Sequence, residues 1–124
     1  MNCKKILALI LAIVMVLSIG ALMTGCSGED DGKYVIGVCQ LVEHEALDAA
    51  TQGFVDKLTE LLGAENVEII VQTAAGDSAT CAPIVNDFVA QEVDLIMANA
   101  TPALQAAAAA TADIPILGTS VTEY

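Results

Sequence analysis

From Tyr34 onward the chain alternates β-rich runs with stretches whose apolar residues recur at helical spacing. Tyr34-Val35-Ile36-Gly37-Val38-Cys39 predicts a first strand, and Leu47, Ala50, Phe54, Leu58 and Leu61 mark one face of a helix stopped by Gly63. Val67-Glu68-Ile69-Ile70-Val71 predicts a second strand. Cys81, Ile84, Val85, Phe88 and Val89 share the face of a second helix, with Asp77 or Ser78 as its predicted N-cap. Val93 to Ala98 is a third strand, and Thr101-Pro102 opens a third helix with a capping hydroxyl and a proline in the first turn. Ile114-Pro115-Ile116-Leu117-Gly118-Thr119 is a fourth strand, its proline suited to a strand start or edge.

Strand and helix in strict alternation predict an α/β fold, a parallel sheet with helices on both faces. In such sheets ligands bind outside the carboxyl ends of the strands. Those ends are Gln40 to His44, Thr73 to Ser78, Asn99 to Thr101 and Thr119 to Thr122, segments rich in hydroxyls, amides and small residues. Helix N-termini near Ser78 and Thr101 direct N–H groups into the same space, which suits an anion or carboxylate.

The first 25 residues follow another pattern. Lys4 and Lys5 precede an unbroken apolar run from Ile6 to Leu17, then Leu22-Met23-Thr24-Gly25-Cys26. This has the layout of an export signal, and the last five residues resemble the lipobox of bacterial lipoproteins, with Met23 in place of the usual leucine. The resemblance implies a signal peptide over 1–25 and lipid attachment at Cys26. An uncleaved anchor is the alternative, since about 18 apolar residues span a bilayer, and both readings put everything after Cys26 outside. Residues 26–33 then form an acidic tether without an apolar member after Cys26.

Composition sharpens this picture only when divided at Cys26. The 124 residues carry 16 acidic against 4 basic side chains, a net charge of −12. All the carboxylates lie beyond Cys26, while Lys4 and Lys5 lie before it. Nucleic acid is excluded as a partner, because no phosphate-neutralising surface is present.

Several short motifs carry a family resemblance. Ile36-Gly37-Val38-Cys39-Gln40-Leu41-Val42-Glu43-His44, Gly76-Asp77, Val93-Asp94-Leu95-Ile96, Ala100-Thr101-Pro102-Ala103-Leu104 and Asp113-Ile114-Pro115-Ile116 occur in one order from Tyr34 to Tyr124. Together they resemble the ABC-transporter substrate-binding lipoproteins of the tryptophan/tyrosine-binding branch. The resemblance implies a type I periplasmic-binding fold, two lobes closing on a small ligand that is passed to a permease. Residues 34–124 then correspond to part of the N-terminal lobe, and a truncated reading frame or gene fragment is the expectation. It also implies a membrane location on the extracytoplasmic face through the lipid anchor.

The candidate ligand-binding residues are Gln40, Glu43, His44, Asp77, Ser78, Asn99, Thr101, Thr119, Ser120 and Thr122, with Thr101 as the carboxylate contact. Each hydroxyl has a plainer reading as a helix cap. Glu43-His44-Glu45 does not make a zinc site, because the second histidine position of His-Glu-x-x-His is Asp48. With one histidine, no arginine and no nucleophile motif, no catalytic residue, metal or cofactor is expected. Tyr34, Phe54, Phe88 and Tyr124 form no stacking platform, which counts against a sugar ligand. Cys39 and Cys81 are either two buried thiols or a disulfide. Two function classes remain: the solute-binding component of an ABC importer for an amino acid-like ligand, tryptophan or tyrosine by resemblance, or a short surface lipoprotein with an α/β module and no ligand.

Overall fold

The computed structural model describes residues 32–122; the expected signal peptide, Cys26, most of the tether and Tyr124 lie outside them. Among the described residues, four strands and three α-helices alternate: β1 (Tyr34–Gln40), α1 (Glu45–Leu62), β2 (Val67–Thr73), α2 (Cys81–Ala90), β3 (Leu95–Asn99), α3 (Thr101–Ala110) and β4 (Ile116–Thr119). A single 3₁₀ turn, Ser78–Thr80, precedes α2. All strands pair in parallel in the order β2-β1-β3-β4.

Parallel neighbours need crossovers, and the helices supply them on both faces, as alternation in the sequence predicts. Alternate residues of each strand point to opposite sides. Gly37 and Cys39 of β1 and Ile96 and Ala98 of β3, paired in register, point toward α2 and α3. There they meet Cys81, Ile84, Val85 and Phe88 of α2 and Ala103 and Ala107 of α3, all buried. The glycine at 37 is a matter of space: a Cβ built there lies 2.6 Å from the Phe88 ring. The alanine-rich face of α3 lets that helix approach the sheet closely.

The other face carries Ile36, Val38 and Gln40 with Met97 and Asn99, under α1. Here the sheet is only partly covered, for Val71 on β2 and Leu117 on β4 are each 47% exposed. One helix is narrower than four strands, so the two outer strands project beyond it. Leu61, expected on the packed face of α1, is 67% exposed. Eighteen helical residues span about 27 Å, longer than the ~23 Å of a seven-residue strand, so the last turn overhangs the sheet. Gly63 ends α1 as predicted, at φ 85, with its N–H donated to the Thr59 carbonyl at 2.9 Å.

Candidate functional site

The topology marks one point. From β1 the chain crosses to β2 on one side, and from β2 it crosses over β1 to β3 on the other, so the order reverses between β1 and β3. Ligand crevices form at such a switch, beyond the strands' carboxyl ends. Gln40 and Asn99 end the two strands and face each other in register.

Both side chains are buried, and both are engaged. Gln40 donates from Nε2 to the Val42 carbonyl at 2.9 Å and to Asp48 Oδ1 at 2.6 Å. Its Oε1 accepts from the Thr51 hydroxyl at 2.6 Å. Asn99 Nδ2 donates to Thr51 Oγ1 at 2.9 Å and to the Leu47 carbonyl at 2.8 Å. Gln40 and Asn99, expected on the cleft wall, clamp α1 onto the ends of β1 and β3 in this structure. A polar group buried beneath a helix is stable only when hydrogen-bonded, and Thr51 is the shared partner. Asn99 Oδ1 has no partner among the described residues.

Around this network lie two groups of side chains. Thr101, Thr119, Ser120 and Thr122 come together at the ends of β3 and β4. The Ala100 N–H donates to the Thr119 carbonyl at 3.0 Å, and Thr122 N–H donates to Thr101 Oγ1 at 3.2 Å. The Thr101 and Thr122 hydroxyls lie 3.3 Å apart. Thr101 was expected to cap α3, and it does not: Ala100 occupies the N-cap without a side-chain bond, and Thr101 is the first helical residue. The hydroxyl is turned to the β4 exit instead. Pro102 has no N–H, so the backbone donors at this helix start come from Thr101 and Ala103.

The second group surrounds the β1 and β2 exits. Gln40, Glu43, Asp48, Thr51, Gln52, Val55, Val71 and Thr73 line an open hollow of about 470 Å³. Glu43 and Thr73 also line its neighbour of about 450 Å³ with Val42 and Ala75. His44 is the N-cap of α1, its Nδ1 accepting from Ala46 N–H at 3.2 Å. Asp77 and Ser78 do not start α2 as predicted. Asp77 caps the 3₁₀ turn, accepting from Ala79 N–H at 2.9 Å and from the Thr80 hydroxyl at 3.0 Å, and the α-helix proper begins at Cys81. The anion site expected at Ser78 thus faces three residues of 3₁₀ helix, too short to build a dipole.

Three strand exits hold non-glycine residues at positive φ: Ala75 at 54°, Ala100 at 106° and Ser120 at 56°. Such conformations cost on the order of 1–3 kcal/mol each and cluster where a backbone is held for binding. Sequence reasoning missed them, along with Thr51, Asp48 and Thr73. Asp48 and Thr51 were detectable as polar residues three apart on the otherwise apolar stripe of α1 that includes Leu47 and Phe54. Among the described residues, no cluster of three His, Cys, Asp or Glu side chains is placed to hold a metal ion.

The sequence model of one family, ABC transporter substrate binding protein, matches residues 35–124. The chain belongs to this family. A tyrosine-binding protein of Clostridioides difficile (strain R20291) is 42% identical over 135 aligned positions, which take in 97% of this chain and 38% of that protein. Among solved structures, a ligand-free, open substrate-binding protein with adhesive properties from Clostridium difficile superposes with a TM-score of 0.69 at 46% identity. A Streptococcus pneumonia ABC domain in complex with L-Trp gives 0.69 at 35% identity. Each of the two superpositions covers 73% of this chain and 31% of the solved one. The chain thus spans well under half the length of the relatives it matches.

Proposed function

We propose that this chain is the extracytoplasmic solute-binding part of an ABC importer, capturing an amino acid with an aromatic side chain, tryptophan or tyrosine, for a membrane permease. The observation that carries the reading is the cluster at the start of α3. Thr101 offers a hydroxyl and a helix-end N–H, Thr122 adds a second hydroxyl 3.3 Å away, and Ala100 and Ser120 beside them are held at positive φ. A ligand carboxylate is the anion such a corner accommodates. Asp48 and Asp77 are engaged with Gln40, Ala79 and Thr80, whereas Glu43 stands exposed at the same edge and is the carboxylate assigned to the ligand ammonium. His44, Ser78, Thr119 and Ser120 complete the wall. The tyrosine-binding relative and the neighbour solved with L-Trp support the ligand class.

The test is an amide NMR titration with L-tryptophan, L-tyrosine and tryptamine, which lacks the carboxylate. The described residues form a single wall, so weak binding in fast exchange is expected, with saturable shifts at Thr101, Ala103 and Thr122 for the amino acids alone. Equal shifts with tryptamine, or none at these amides, would overturn the carboxylate site. The proposal extends to the N-terminal segment: residues 1–25 as signal, Cys26 as the lipid-bearing residue, 26–33 as tether and 34–124 as lobe. Cys26→Ala is expected to abolish labelling by a fatty-acid probe, and undiminished labelling would refute the lipoprotein reading.

A further inference from the structure

Cys39 and Cys81 lie far apart in sequence and together in the core. Both are free thiols, both are fully buried, and both belong to the cluster beneath α2. The geometry follows from one contact. Phe88 of α2 packs against Gly37 of β1. Cys39 lies two residues further along the same face of the strand, about 7 Å on. Cys81 lies two helical turns back on the same face of α2, about 10.5 Å on in the same direction, since the helix runs antiparallel to the strand. The two thiols accordingly meet in one buried cluster between β1 and α2.

We propose that Cys39 and Cys81 are a disulfide pair, closed while the chain folds in the presence of a disulfide-bearing oxidant. One cysteine thiolate attacks the oxidant's disulfide, forming a mixed disulfide and releasing one oxidant thiol. The second cysteine thiolate then displaces the other oxidant thiol. One S–S bond forms in the protein, one breaks in the oxidant, and two protons and two electrons pass to the oxidant. Burial and the neighbouring sulfur push the Cys39 thiol up to about 12, so the pair is inert once packed and the reaction belongs to the open chain. The cross-link ties the end of β1, one residue before Gln40, to the start of α2. It thereby holds the 74–80 exit loop, with Ala75 at φ 54, against the wall proposed for the ligand. The pairing itself rests on the core geometry and not on the ligand reading.

The full chain suits a direct test, because Lys4, Lys5, Lys33 and Lys57 place its four cysteines in four different tryptic peptides. The denatured chain is refolded with a mixture of reduced and oxidised glutathione, alkylated and digested. The expected product links peptide 34–57 to peptide 58–124 and is two hydrogen atoms lighter than the reduced pair. Relative to the chain refolded with reductant, Tm is expected to rise by roughly 10 °C or more, since the bond closes a loop of about 40 residues. The same rise in Cys81→Ala, or recovery of Cys39 and Cys81 both alkylated or separately glutathionylated, would overturn the proposal. The peptide map on the unaltered chain decides even where that variant fails to fold.

Discussion

Replacing Thr51 by valine keeps the shape and branching of the side chain and removes one oxygen. That oxygen donates to Gln40 Oε1 at 2.6 Å and accepts from Asn99 Nδ2 at 2.9 Å. Two hydrogen bonds are lost, each worth about 1 kcal/mol net, and the larger effect is what they leave behind. Gln40 and Asn99 are buried, so a carbonyl oxygen and an amide N–H lose their partners in a dry space, where an unsatisfied group costs about 1–3 kcal/mol. Asn99 already has one orphaned oxygen and no slack to rearrange. The expected loss is about 2–4 kcal/mol, or roughly 10–25 °C in Tm for a domain of this size. Urea and thermal unfolding followed by circular dichroism measure it. Thr59→Val is the matched control: its hydroxyl back-bonds to the Val55 carbonyl within the same helix, and the change should stay within about 0.5 kcal/mol. In the Gln40→Met, Thr51→Val double variant the orphaned oxygen is gone, so the combined loss should fall short of the sum by about 0.5 kcal/mol or more. A Thr51→Val loss below about 1 kcal/mol, or strict additivity, would show that the network does not clamp α1.

Gly37→Ala should destabilise by about 3 kcal/mol or more, because the new methyl meets the buried Phe88 ring at 2.6 Å, and Phe88→Leu should recover part of the loss in the same unfolding assay. The Cys39 thiol is raised from the usual 9.0 to about 12, chiefly by burial, so stability is complete below pH 9.0 and declines as pH climbs toward about 12. In reductant, Cys39→Ala should flatten that alkaline decline in denaturant titrations; an unchanged slope would rule out the thiol as its source. Thr101→Val removes the acceptor of Thr122 N–H, so it should lower stability by only about 1 kcal/mol while abolishing the amino-acid-dependent shift at Thr122 in the NMR titration.

The order of elements was legible in the chain because it depends on local periodicity. Apolar spacing at 81, 84, 85 and 88 produces one helix face whatever it packs against, and Gly63 stops a helix by its own backbone freedom. The parallel sheet followed from the lengths of the crossovers. Strand ends as the candidate edge were legible too, since residues such as Gln40 and Asn99 terminate apolar runs.

What the chain could not disclose alone was which polar side chains face outward. Gln40 and Asn99 end apolar runs in the sequence, and only their pairing across β1 and β3, with Thr51 descending from α1 between them, shows that they also clamp that helix. Thr101 carries the sequence signature of a helix cap, but the nearness of the β4 exit redirects its hydroxyl to Thr122 across 21 residues. The strained backbone at Ala100 has no signal in an alanine, for the left-handed region is imposed by hydrogen bonds to Thr119 and Leu104. Local sequence determines which elements form, because helix and strand periods are short-range. Tertiary structure decides which of their polar groups are already satisfied, because those partners come from elements that meet only when the sheet is assembled.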